Sequence, residues 1–95
     1  MSDNKRNARL DCNKKSQVDW NDITYPATVI NLSVVGDDMH LCVHFNGTLP
    51  GVGLGEECGL RLLEEENNPC MYTARVIRVG ASEIVVSILD MHRNF

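Results

Sequence analysis

The chain has 95 residues, of which 43% are hydrophobic and only 5% aromatic, so it can build one modest core of aliphatic side chains. This size excludes a multidomain architecture. The first nine residues are polar or charged where a secretory signal would be apolar, and no apolar run approaches the roughly 20 residues that cross a bilayer, so we expect a cytoplasmic protein without a membrane segment.

The net charge of −4 is divided unevenly along the chain. Residues 1–15 carry five basic and two acidic side chains, whereas the remaining residues carry four basic and eleven acidic ones. We therefore predict a flexible basic arm over residues 1–14 and one folded domain over residues 15–95. The arm is either a solubilising tail or a segment that closes on an anion. Duplex nucleic acid is disfavoured as that anion, because the acidic body would repel a long polyanion.

The first half of the chain has strand patterns. A weakly patterned early strand lies at residues 9–13 or 17–20. Residues 24–33 are rich in β-branched side chains and end at Gly36-Asp37-Asp38, which predicts a hairpin turn. Residues 38–46 then alternate between apolar and more polar side chains, the period of a half-buried strand.

The second half continues the same way. Residues 46–51 have the composition of a loop, and further strands are predicted at residues 57–64, 70–79 and 83–90. Short strands at this spacing, with no amphipathic helix between them, indicate an all-β sandwich or barrel.

No motif indicates catalysis or metal binding, so we expect neither an enzyme nor a cofactor. The glycines of residues 51–55 lack the spacing and the following helix of a phosphate-binding loop, which favours an inter-strand loop. The four cysteines are scattered, which favours free thiols in a reducing compartment. His40 and His44 would lie roughly 13 Å apart on a strand, too far to share one metal ion.

Two short segments together carry a family pattern. The first is Lys5-Arg6-Asn7-Ala8-Arg9, and the second is Asn31-Leu32-Ser33-Val34-Val35-Gly36. They resemble the signature of the PilZ domain family, R-x-x-x-R in an N-terminal loop followed by [D/N]-x-S-x-x-G at the end of a strand. The second segment matches fully, whereas Lys5 stands at the first arginine position and Arg6 is one residue out of register. The resemblance covers roughly residues 5–90.

The resemblance implies a small antiparallel six-stranded barrel that acts as a bacterial receptor for cyclic di-GMP. Such a receptor changes its surface when it binds the nucleotide. It thereby regulates a partner protein in motility, exopolysaccharide synthesis or biofilm formation. The implied ligand-binding residues are Lys5, Arg6, Arg9, Asn31, Ser33 and Gly36. Because the first motif is degenerate, the alternative is a domain that has lost the nucleotide and acts only through protein partners.

The second motif also makes physical sense from its residues alone. Strand alternation predicts that Asn31 and Ser33 face outward, where they can hydrogen-bond a purine, and that Ile30, Leu32 and Val34 enter the core. Gly36 allows a positive φ or the close approach of a flat ligand.

The end of the chain leaves two alternatives. PilZ barrels are often closed by a C-terminal helix, but only residues 91–95 follow the last predicted strand, so we expect little or no helix. The open end is then covered either by self-association or by Met91 and Phe95 folding back.

Overall fold

A computed structural model describes residues 7–63 and 70–93 of the chain. These residues form no helix, and hence none that could span a membrane. They form six strands, β1 (Asn7–Trp20), β2 (Ile23–Val35), β3 (Asp38–Phe45), β4 (Glu57–Leu62), β5 (Cys70–Val79) and β6 (Glu83–Arg93). All neighbouring strands are antiparallel and close into a barrel in the order β1-β2-β3-β6-β5-β4, which confirms the predicted six-stranded barrel.

Two tight turns fix the register of the first three strands. Asn21 and Asp22 join β1 to β2 with φ values of 57° and 65°, the combination that a type I′ hairpin turn requires. Gly36 begins the turn between β2 and β3 with a φ of 63°, as in a type II′ turn, so the predicted hairpin is confirmed. Both turn types match the right-handed twist of the strands that they connect.

Strand β1 is longer than the pattern of its sequence suggested. It begins at Asn7 and includes both of the early segments that were predicted as alternatives, residues 9–13 and residues 17–20. The predicted boundary between the basic arm and the folded domain, at residue 14, therefore lies inside this strand. β1 pairs with β2 along its length, whereas β4 pairs only with Ser16–Asp19 of β1. Within the described residues, the N-terminal half of β1 therefore extends past the last strand that closes the barrel.

The barrel interior is filled by small and medium-sized aliphatic side chains. Val43 of β3 pairs with Ile84 of β6, and both are fully buried at 0% exposure. The largest side chains that are wholly excluded from solvent are Leu60, Ile84, Val18, Val43, Val76 and Val86. Phe45 belongs to this core, and the partly buried Tyr25 ring packs against it edge-on at a centroid distance of 6.4 Å.

One end of the barrel is sealed by the loop of residues 46–56. Val52 of this loop is buried in the core. The Trp20 indole N–H donates to Glu56 Oε1 at 3.0 Å, and the ring lies over Gly51, where an added Cβ would be 3.7 Å from Cη2. The glycine-rich segment is thus an inter-strand loop, as predicted, and its one buried valine anchors it.

The opposite end of the barrel is open. An apolar cavity of about 130 Å³ lies there, bordered by Leu10, Leu32, Met39 and Tyr72. Leu10 is 63% exposed and Met91 is 50% exposed. Phe95, which in one of the two predicted alternatives folds back with Met91, lies outside the described residues.

The Cys58 thiol is buried in the core cluster. Burial, with a smaller contribution from the Asp19 carboxylate, raises the pKa of Cys58 from an ordinary 9.0 to about 11. Both causes disfavour the thiolate. The thiol is therefore inert as a nucleophile near neutral pH while the barrel is folded.

This pKa shift predicts a loss of stability in alkaline solution. The folded pKa is raised above the unfolded value, so the contribution of Cys58 is fully present below about pH 9 and disappears as the pH rises to about 11. A shift of this size corresponds to about 3 kcal/mol once the thiol is ionised in both states. We expect chemical denaturation at pH 7–11 to show a steeper loss for the wild type than for Cys58→Val, in which the other titrating groups are unchanged. Parallel curves would contradict the assignment.

Candidate functional site: a groove on the outer face

An open groove of about 690 Å³ lies on the outside of the barrel. It crosses strands β2, β3, β6 and β5 and reaches the turn between β5 and β6. Its volume lies within the range of small-molecule sites, roughly 300–1,000 Å³. It is lined by Ile30, Asn31, Ser33, Val35, His40, Cys42, Ile77, Arg78, Val79, Gly80, Glu83 and Val85.

A row of paired residues runs across the floor of the groove. Asn31 pairs with Cys42, Cys42 with Val85, and Val85 with Arg78. The two ends of this row are therefore three strand spacings apart, or roughly 14 Å along the sheet. A ligand with several rings is long enough to lie along this row and contact both Asn31 and Arg78.

A second row brings the two predicted motifs together. The backbone of Arg9 is registered opposite Ser33, and Ser33 pairs in turn with His40. Residues that are 24 positions apart in the sequence are thus neighbours on adjacent strands. Lys5 and Arg6, the other predicted contacts from the basic segment, lie outside the described residues.

The prediction for Ile30 is wrong. A bulge in β2 inserts Ile30 between the pairs Val29–Val43 and Asn31–Cys42. The extra residue breaks the strict alternation, so Ile30 lines the outer groove beside Asn31 instead of entering the core. Leu32 packs against the core as expected, and Asn31 and Ser33 lie in the groove, half-buried. Val34, also expected in the core, is 39% exposed because it lies near the open end.

A second bulge sets the position of Arg78. Val76 pairs with Val86 and Arg78 with Val85, so Ile77 is the extra residue in β5. Arg61 is bound to Asp19 at 3.0 Å and Arg75 to Glu57 at 3.2 Å. In the part of the chain that the structure describes, by contrast, the Arg78 guanidinium has no ion pair or side-chain hydrogen bond. The groove therefore contains an arginine available to a ligand.

Glu83 lies at the end of the groove beside the turn between β5 and β6. The Gly80 N–H donates to the Glu83 carbonyl oxygen at 2.7 Å. A Cβ at Gly80 would come within 3.3 Å of Glu83 Cγ, so the glycine allows the glutamate to lie close to the turn. The groove thus offers both a cation and an anion, together with the Asn31 amide, the Ser33 hydroxyl and the His40 imidazole.

The sequence prediction missed three of these residues, namely His40, Arg78 and Glu83. Alternation in β3 carried the signal for His40, because it places this residue on the same face as Cys42. The position of Arg78 in the groove depends on the bulge at Ile77, and that of Glu83 depends on the pairing of β3 with β6. No local sequence pattern reveals this bulge or this pairing. No cluster of three histidine, cysteine, aspartate or glutamate side chains that could hold a metal ion occurs among the described residues.

Comparison with known proteins adds no assignment to this geometry. No family model matches the chain, and neither a curated protein nor a solved structure does so.

Gly36 lies at the turn next to Val35, which lines the groove. Its φ of 63° and the open space around the position of a Cβ show that backbone conformation, and not crowding, favours glycine there. We expect Gly36→Val to lower the free energy of unfolding by about 1–2 kcal/mol, because the left-handed region is unfavourable for a β-branched residue.

Gly36→Asn is the matched control, since asparagine tolerates a positive φ, and it should destabilise the protein less than valine does. Urea denaturation measures both effects. Equal stability of the valine variant and the wild type would show that the turn relaxes to another conformation.

Proposed function

We propose that the protein is a bacterial cytoplasmic receptor of the PilZ type that binds cyclic di-GMP in the outer groove and passes the signal to a partner protein. The observation that carries the proposal is the registration of Arg9 opposite Ser33. Two segments chosen only for their resemblance to the family signature are neighbours on adjacent strands, and Asn31 and Ser33 of the second line the same groove.

The chemistry of the groove suits a purine nucleotide. The Asn31 amide can both donate and accept hydrogen bonds, and so can the Ser33 hydroxyl, which matches the mixed donors and acceptors on the edge of guanine. Ile30 and Val85 supply apolar surface for the faces of the bases. In the described residues, neither Asn31 nor Ser33 has a side-chain hydrogen bond that a ligand would have to displace.

The basic segment of residues 5–9 supplies positively charged side chains for the phosphates of the ligand. A guanidinium donates two parallel hydrogen bonds to a phosphate and stacks on a flat ring, so Arg9 is suited to either contact. Lys5 and Arg6 would add positive charge from the preceding residues. Closure of these residues over the ligand would change the surface that a partner meets.

The proposal predicts a severe effect of Arg9→Ala on cyclic di-GMP binding. A hydrogen bond to a charged group contributes about 1.5–3 kcal/mol, so the affinity should fall about ten- to a hundred-fold. Lys15→Ala is the matched control, because it removes one positive charge from the same strand without touching the groove. Isothermal titration calorimetry measures both variants.

Ser33→Ala should weaken binding as well while leaving the β-sheet circular dichroism unchanged, because the hydroxyl lies outside the core. Cyclic di-AMP and GTP serve as ligand controls. No heat from cyclic di-GMP at high micromolar concentration would overturn the proposal, and an unchanged affinity of Arg9→Ala would remove Arg9 from the site.

A second candidate is a domain that acts only through protein partners. The open end of the barrel favours it, because Leu10, Met39 and Met91 expose apolar surface around the end cavity. Absence of any cyclic di-GMP binding in the titration above would favour this second function over the first.

A further inference from the structure

The groove has two walls that come from different hairpins. The wall from β2 and β3 contains the residues of the predicted motif, Asn31 and Ser33, together with His40. The wall from β5 and β6 contains Arg78 and Glu83, which the proposed function leaves without a role. The backbones of Asn31 and Arg78 are roughly 14 Å apart along the sheet, so a ligand with several rings can present a separate recognition element to each wall.

Arg78 and Glu83 have opposite charges but form no ion pair with each other. Arg78 is registered opposite Val85, and Glu83 lies two residues before Val85 on the same strand face. The two side chains therefore start roughly 7 Å apart along the strand direction. The edge of a purine base could lie between them.

We propose that Arg78 and Glu83 read one guanine of the ligand and thereby set the preference of the groove for guanine over adenine. This inference rests on the proposed function. Arg78 donates to guanine O6 and N7, which are both acceptors, and the Glu83 carboxylate accepts from the N1–H and N2–H groups of the same base.

Adenine fits the same pair poorly. It presents the N6 amino donor to Arg78, where guanine has the O6 acceptor. It also lacks the N2 amino group and has an unprotonated N1, so that the carboxylate of Glu83 meets a lone pair and has no donor. An unmatched polar group in a partly desolvated site lowers affinity more than a missing apolar contact. Discrimination between the two purines thus belongs to the wall from β5 and β6.

The two side chains are positioned independently of the core. Arg78 is exposed and Glu83 is half-buried, and the hydrogen bond at the turn uses the backbone of Glu83, which a side-chain substitution leaves in place. Variants at these positions should therefore fold. Thermal denaturation of each variant checks this before any titration.

The test compares affinities for cyclic di-GMP and cyclic di-AMP by calorimetry. We expect Glu83→Gln to weaken cyclic di-GMP about ten-fold and to leave cyclic di-AMP unchanged or improved, because the amide adds a donor where guanine also has donors. Arg78→Ala should cause a similar loss. Arg78→Lys should fall between Arg78→Ala and the wild type, since lysine keeps the charge but lacks the planar fork.

The ion pair between Arg75 and Glu57 supplies matched controls. Arg75→Ala removes the same charge from the same strand as Arg78→Ala, and Glu57→Gln makes the same change of charge as Glu83→Gln. Arg75 and Glu57 do not line the groove, so both controls should bind within about two-fold of the wild type.

The outcomes separate this inference from the proposed function. If the wild type binds no cyclic di-GMP, both fail. If the wild type binds but the ratio of the two affinities is the same within two-fold in Glu83→Gln, Arg78→Ala and the controls, the guanine assignment is overturned and the proposed function stands. The assignment is supported if the preference for cyclic di-GMP over cyclic di-AMP is lost in Glu83→Gln and Arg78→Ala but kept in the two controls.

Discussion

The pairing of β3 with β6 is the constraint on which the rest of the structure depends. It joins two hairpins that are far apart in the sequence, through the residue pairs from His40–Ser87 to His44–Glu83. On its inner face this pairing brings Val43 against Ile84 at the centre of the core. On its outer face it sets Cys42 beside Val85 and so forms the floor of the groove. One set of backbone hydrogen bonds thus determines both the packing of the barrel and the width of the candidate site.

Two bulges make part of the outer surface of this regular barrel concave. A closed barrel with strict alternation has a convex exterior, on which neighbouring side chains diverge. The extra residues Ile30 in β2 and Ile77 in β5 lie on the two sides of the β3–β6 seam, and each turns a further side chain into the groove. Bulges bend a strand and increase its twist, and they commonly redirect side chains next to functional sites. The groove is therefore built by departures from the pattern that builds the core.

The difference between a local sequence pattern and pairing with another strand explains which features the sequence could predict. Apolar alternation in β3 and turn chemistry at Gly36 are local signals, and with the spacing of the other strands they were sufficient to predict the hairpin and an all-β sandwich or barrel. The choice of a six-stranded barrel came from the family resemblance. The sequence indicated the type I′ turn at Asn21 and Asp22 and the full length of β1 less clearly, because the polar residues of β1 are distributed over both faces. Ile30 was assigned to the wrong face because a bulge depends on pairing with another strand. Arg78 and Glu83 were missed for the same reason, since only tertiary pairing brings them to the groove.

Trp20 is the only tryptophan of the chain, and its environment has a spectroscopic consequence. The indole is half-buried at the sealed end, over Gly51 and bonded to Glu56, and it does not line the groove. Its fluorescence therefore reports whether the loop of residues 46–56 remains packed on the barrel. A ligand in the groove would leave the emission of the native state nearly unchanged but would shift the midpoint of the unfolding curve, because binding to the folded state alone stabilises it. This intrinsic probe can thus detect ligands without a label.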